Sequence, residues 1–268
     1  MVEYKPVLPK ENNNVSHNSP FKEFLTLLAG VSVLIYVVYW LLGFAIDAAA
    51  NHLSYEDEAK LFSKISIPLD DMFSETPQEN ERLQALVSQL QSCSSLTTPI
   101  TISTISDETP NAMALPGGKM LVFEGLLKHV QSENGLAFVL AHELGHFINR
   151  DHLKGIGRGL VLVSISTMIT GPNSSISRLL TPSIQLHSAG FSQQRESLAD
   201  TTALKILRCH YGHLSGATEF FESLKETDHT DFGLSHYFSS HPQMEKRIQA
   251  INKWKIEHRI AEGATTAW

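Results

Sequence analysis

From Phe24 to Ile46 the chain carries not one charged residue, and a run like that leaves few folds open. About 23 residues at 1.5 Å rise reach roughly 35 Å, enough to cross a bilayer with some tilt. Tyr36, Tyr39 and Trp40 add aromatic weight toward the far end, as membrane–water interfaces favour. Two alternatives compete, a buried helix in a soluble core and a cleaved signal peptide ending near Ala48-Ala49-Ala50. The second would need an apolar core far longer than the usual range of roughly 7–15 residues. The favoured reading is an uncleaved transmembrane anchor over 24–46, after a flexible cytoplasmic tail at 1–23 and before a folded domain at 47–268. Lys5, Lys10 and Lys22 precede the span, and Asp47, Glu56, Asp57 and Glu58 follow it. The positive-inside rule therefore puts the N-terminus in the cytoplasm and the domain across the membrane.

With 268 residues and 42% hydrophobic content, the expectation is one core-bearing domain plus a small appendage. The formal net charge of -7 argues against a nucleic-acid partner. Cys93 and Cys209 lack Cys-x-x-Cys spacing and read by default as two buried thiols. A disulfide between them is the alternative if the domain lies outside the cytoplasm.

The stretch Ala141-His142-Glu143-Leu144-Gly145-His146 carries the strongest chemical signal. Two imidazoles four apart on a helix share one face and can reach one zinc ion. Glu143, projecting nearby, can hold the attacking water. Gly145 costs about 1 kcal/mol relative to Ala inside a helix, so something is expected to pack tightly on that turn. The bland alternative is a helix with two surface histidines and a solvated Glu. His187, His210, His213, His229 and His236 lie outside any ligand spacing and read as ordinary surface or core residues.

Around this helix, 51–78 reads as a loop-rich lead-in. Leu83, Leu86, Val87 and Leu90 space an amphipathic helix that Pro99 stops. Alternation at Ile100 and Ile102 suggests a strand. Asn111 to Phe123 reads as strand, Pro-Gly-Gly turn and strand. Asn111, Ala112, Met113 and Ala114 could hold an extended substrate as an added strand, or simply form a structural hairpin. Gly125–Val130 begins one helix, and Gly135–Arg150 carries the motif. Ile156–Thr170 is apolar but short, expected to be buried in the domain or to lie at the membrane surface rather than cross it. Gly171–Gln194 is a candidate lid.

A catalytic zinc site needs a third protein ligand. Glu196 and Asp200, four apart, share a helix face with Ala203, Leu204 and Leu207. Bare carboxylates facing a packed interior are expensive. Glu196 on zinc, with Asp200 orienting a ligand histidine from behind, meets that need. The alternative is an exposed acidic helix flank.

Four ordered motifs carry a family resemblance. They are Asn-Ala-x-Ala-Leu-Pro-Gly-Gly, His-Glu-Leu-Gly-His with Asn149-x-Asp151-His152, Glu196-x-x-Ala-Asp200, and Ser240-His241-Pro242 with Arg247-Ile248. Over roughly residues 55–255 the chain resembles the HtpX-like and CAAX-prenyl-protease-like zinc metallopeptidases, metallopeptidase family forty-eight, of the gluzincin group. Relatives often have Arg where this chain has Gln193. The resemblance implies an α+β, mostly helical gluzincin-type domain with a small sheet and hairpin, behind one transmembrane helix. It implies one Zn2+ per chain on His142, His146 and Glu196, with Glu143 as catalytic base and Asp200 as partner of a ligand histidine. In similar proteins a histidine at the place of His241 lies near the metal, where it assists catalysis or silences the site. On the residues alone, His241 could equally be a turn or cap at a helix entrance.

The expected function is membrane-anchored zinc endoproteolysis of misfolded, membrane or envelope proteins, from an inner membrane facing a periplasm. Three alternatives remain open: a zinc-binding chaperone or assembly factor with a latent protease site, an intramembrane CAAX-type protease, and an anchored domain with no metal.

Overall fold

The computed structural model describes residues 20–62, 77–171, 192–226, 241 and 243–268. Residues 1–19 of the tail expected at 1–23, most of the candidate lid (172–191), and His187, His229, His236 and Pro242 lie outside the described residues. The chain divides into two units, Met1–Leu42 and Gly43–Trp268.

Helix α1 runs from Pro20 to His52, six residues past the end expected from the apolar run. In the first unit it presents Phe24, Leu27, Leu34 and Trp40 on its surface. It is long and apolar enough to cross a membrane.

In the second unit, α2 (Tyr55–Phe62) replaces part of the expected loop at 51–78. Ser54 caps it, its Oγ accepting from the Asp57 N–H at 3.1 Å. Its buried residue is Glu58, and a buried charge is invisible to a search for apolar spacing. Helix α3 (Pro77–Ser92) buries Leu83, Leu86, Val87 and Leu90, as their spacing requires, and stops well before Pro99. Strands β1 (Thr101–Ile105), β2 (Ala112–Leu115) and β3 (Lys119–Phe123) form a sheet in the order β1-β3-β2. β1 runs parallel to β3 with Ile102 opposite Met120. β2 runs antiparallel to β3 with Met113 opposite Leu121. The turn between β2 and β3 uses Gly117 and Gly118, both at positive φ, which other side chains rarely adopt. Among the described residues β2 is an outer strand.

Helices α4 (Glu124–His129) and α5 (Glu133–Ile148) follow. Ser132 caps α5 by accepting from the Gly135 N–H. Every residue of α5 from Asn134 to Phe147 is buried, so α5 is a central helix covered on all sides. It packs on α3, on β2 and above all on α7 (Gln193–Tyr211). Leu83, Leu90, Phe138, Leu140, Leu207, Phe220 and Phe221 belong to one core around it. Helices α8 (Glu219–Glu226) and α9 (Met244–Glu257) close that core.

Two expectations need correction here. Helix α6 (Asp151–Thr170) starts five residues earlier than its apolar run and is also long and apolar enough to span a membrane. It is not buried in the domain: Leu160, Leu162, Met168 and Ile169 are exposed. Cys93 and Cys209 are not free thiols but a disulfide, because the C-terminal ends of α3 and α7 lie side by side with Cα atoms 5.8 Å apart.

Candidate metal centre

The helical periodicity of α5 puts His142 and His146 on one face, with their Nε2 atoms 3.0 Å apart. α7 crosses at Gly145, where an added Cβ would lie 2.9 Å from Ala199 Cα. That close approach brings Glu196 in. Its Oε1 lies 3.3 Å from His146 Nε2 and its Oε2 3.5 Å from His142 Nε2. His241, just ahead of α9, adds Nδ1 at 3.1 Å from Glu196 Oε2 and 3.4 Å from His142 Nε2. Ligand atoms from all four residues lie within 4.8 Å of one another, and all four residues are buried.

The far side of each helix histidine is tied to a carboxylate. His142 Nδ1 is 2.9 Å from Asp200 Oδ1, and His146 Nδ1 is 3.0 Å from Asp151 Oδ2. With Nδ1–H donated outward and the Nε2 proton given up, as metal binding requires, each Nε2 can turn its lone pair to the centre. Asp151 reaches His146 because the chain reverses at Asn149 and Arg150, the latter at φ 58. Arg247 of α9 donates from Nε and Nη2 to Asp200 at 2.9 and 2.6 Å. Its Nη1 stands 2.8 Å from Glu196 Oε2, and its guanidinium lies over the Phe221 ring.

Charge follows this geometry. Burial alone would raise the Glu196 carboxyl, but His241, His142 and His146 hold it far below the usual carboxylate range. Asp200, also opposed by burial, is brought down to about 2, chiefly by Arg247. Burial pushes His142 down, with Arg247 adding to it. At His146 burial is outweighed by Asp151, Glu196 and Glu143, and its pKa rises to about 9. Two imidazoles and an ionised carboxylate, converging in a buried site, are a donor set that suits zinc.

Glu143 stands beside the group. Its Oε2 accepts from the Ala114 N–H at 3.0 Å, and Oε1 is 3.8 Å from His241 Nε2. Ala114 therefore points its N–H away from β3, toward the motif helix. Ala112 is buried and Met113 half-buried on the same strand. Asn111 is buried, and its Oδ1 accepts from the Ala112 N–H at 3.0 Å, which shapes the strand's entry rather than the metal group.

The sequence profile of peptidase family M48 matches residues 77–255. The chain belongs to peptidase family M48. Among relatives of this M48 chain, the mitochondrial metalloendopeptidase OMA1 of Schizosaccharomyces pombe is 32% identical over 162 residues, covering 58% of this chain and 47% of the relative. A protease HtpX homologue of Dictyoglomus thermophilum is 24% identical over 258 residues, covering 81% and 83%. A putative β-barrel assembly-enhancing protease of Vibrio cholerae is 40% identical over 75 residues, covering 28% and 16%. The match to the S. pombe relative spans about half of that protein's length.

Within the M48 domain, Asp151 and Arg247 stand in the family motifs without a role that the sequence assigns, and Arg195 stands between two of them. A signal existed for Asp151: the reasoning that paired Asp200 with a histidine applies equally to a carboxylate just after His146. The motif flags Arg247 but not its partners, and neither Arg247 nor Arg195 could be paired from spacing because their partners come from other helices.

Proposed function

We propose that this M48 chain is a membrane-anchored zinc metalloendopeptidase, with His142, His146 and Glu196 holding one zinc ion. One observation carries the reading. Two imidazole Nε2 atoms and the Glu196 carboxylate converge in a buried site, each imidazole tied from behind by a carboxylate. Zinc held there supplies Lewis acidity toward a scissile carbonyl and toward water. Side chains do the rest. Glu143, aimed by the Ala114 N–H, accepts a proton from the attacking water and delivers it to the leaving amine. His241 can donate to the oxygen that gains charge. A polypeptide laid along β2, over Asn111–Ala114, would lie beside Glu143.

The substrates we propose are unfolded polypeptides and membrane or envelope proteins. The name of the V. cholerae relative, a protease that enhances β-barrel assembly, supports this choice. Residues 1–23 form a cytoplasmic tail, 24–46 the anchor and 47–268 the extracytoplasmic peptidase domain, at a bacterial inner membrane facing the periplasm. The Cys93–Cys209 disulfide supports an oxidising compartment for the domain.

A second reading, a zinc-binding chaperone or assembly factor with a latent site, is favoured by one feature. His241 sits as a fourth donor among the three ligands, where it could exclude water. Zinc analysis and casein cleavage on the full chain, Glu143→Gln and His241→Ala test both readings. One zinc per chain, with cleavage lost in Glu143→Gln, is the expected result. Activation by His241→Ala would favour latency. Purified chain without zinc and without cleavage would overturn the assignment.

A further inference from the structure

A chain of ion pairs connects the end of α1 to the metal group. Arg158 of α6 donates to Asp47, Nη2 to Oδ2 at 2.6 Å and Nε to Oδ1 at 3.1 Å. The same Asp47 Oδ2 lies 3.5 Å from Nη2 of Arg195 on α7. Arg195 Nε lies 3.4 Å from Asp151 Oδ1, and Asp151 Oδ2 meets His146 Nδ1 at 3.0 Å. Asp47 falls in the part of α1 that belongs to the second unit, so all these contacts lie within one unit.

Arg195 is the middle of this chain and immediately precedes Glu196. Asp151 and His146 are almost fully buried, whereas the side chains of Asp47 and Arg195 are 28% and 22% exposed. Partly exposed pairs add little to folding, so stability gives these two side chains little reason to be there. A carboxylate on the far nitrogen of a metal-ligating histidine matters more. It fixes the tautomer and the ring direction. Asp151 can do this only while Oδ2, rather than solvent, faces His146, and Arg195 is the cation that occupies its other oxygen. Lys154, on the same turn region of α6, is instead directed to the Asn149 carbonyl at 2.6 Å.

We propose that Arg195 is a positioning residue of the metal centre, holding Asp151 against His146, and that Asp47 at the end of the apolar helix holds Arg195. The inference rests on His146 being a metal ligand. It ties the last turns of α1, within the second unit, to the metal group through Arg195, Asp151 and the imidazole.

The test measures zinc affinity of the full chain in detergent by competition with a chromophoric chelator, and the visible absorption of the cobalt(II)-substituted protein. Arg195→Gln is expected to weaken zinc binding about tenfold and to shift the cobalt bands, since partners behind metal ligands typically contribute about 10–100-fold. Asp47→Asn should do the same to a smaller degree. The double variant should be no weaker than Arg195→Gln alone, because both act along one chain. Metal-free unfolding temperatures should match the wild type. Unchanged affinity and cobalt spectrum in Arg195→Gln would overturn the proposal. Rescue of zinc affinity by Arg195→Lys would support it, because a cation on the other oxygen of Asp151 is what holds that carboxylate in place. Additive losses in the double variant would remove Asp47 from the chain. Failure of the wild type to bind zinc at all would strike the underlying metal-site reading instead.

Discussion

The backbone N–H of Ala114, on the outer strand of the sheet, donates to Oε2 of Glu143, one helix position after the first imidazole, across 3.0 Å. The strand suited to hold substrate is thus also the element that aims the proposed base. Glu143→Gln separates the two jobs. The amide oxygen still accepts from Ala114, so the strand and the fold stay in place, but the side chain can no longer take a proton. Peptide cleavage should fall by about 10²–10⁴-fold while zinc stays at one per chain. Cleavage assays with metal analysis check this, and cleavage at the wild-type rate would take Glu143 out of the mechanism.

Gly145 is the point where α7 crosses α5. A Cβ there would stand 2.9 Å from Ala199 Cα and 3.1 Å from its carbonyl oxygen, backbone atoms that cannot swing away. Gly145→Ala gains about 1 kcal/mol of helix propensity. Overpacking costs about 1–3 kcal/mol, so the net effect should be destabilising. Because α7 carries Glu196, the same shift should weaken zinc binding. Urea unfolding and zinc titration together read both effects; a stabilised variant with intact zinc affinity would show that the crossing is loose.

How far the site could be read before folding depends on the range of each contact. His142 and His146 are legible because helical spacing alone brings them together. The tight turn at Gly145 was likewise announced by a glycine where helix propensity disfavours one. Glu196 is 50 residues beyond His146, and periodicity can show only that it faces inward; its convergence on the imidazoles follows from the crossing at Ala199. The helix at Tyr55–Phe62 escaped because its buried residue is a glutamate, and α6 was read as too short because its first turn, with Asp151 and His152, is polar. Of its two expected positions, burial in the domain and the membrane surface, the exposure of Leu160, Leu162, Met168 and Ile169 removes the first. Apolar composition signals removal from water but does not say whether protein or lipid provides the cover.

Glu58 illustrates what such a buried charge does. It accepts from the Gly117 N–H at 2.8 Å, from His152 Nε2 at 3.0 Å and from Arg150 Nη1, clamping α2 to the hairpin turn and to the start of α6. Burial works against its ionisation, but His152, Gly117 and Arg150 together hold its pKa below the ordinary value. A depressed carboxyl contributes stability above the unfolded-chain pKa of about 4.3 and loses it as pH falls through the folded value. Glu58→Gln should therefore cost about 3 kcal/mol at neutral pH, the low end for breaking a buried pair. The gap between wild type and variant should narrow as the pH drops below about 4. Urea melts at neutral and acidic pH measure it; a gap independent of pH would mean the clamp works by shape and not by charge.

The disulfide joining Cys93 to Cys209 spans 116 residues of sequence and ties the last turns of α3 and α7. A loop of that size, closed in the unfolded chain, is worth about 5 kcal/mol in the chain-entropy account. Cys209 is 13 residues along α7 from Glu196, roughly 20 Å at helical rise. Between them Ala199, Ala203, Leu204 and Leu207 are packed into the core, so the site end of the helix is held independently of the disulfide end. Reduction, or Cys93→Ser with Cys209→Ser, should therefore lower the unfolding temperature substantially while leaving zinc affinity close to that of the oxidised protein. Calorimetry and zinc competition on oxidised and reduced chains separate the two quantities. A large loss of zinc affinity in the still-folded reduced protein would mean that the two ends of α7 move as one body, and that the core contacts between them do not isolate the metal centre.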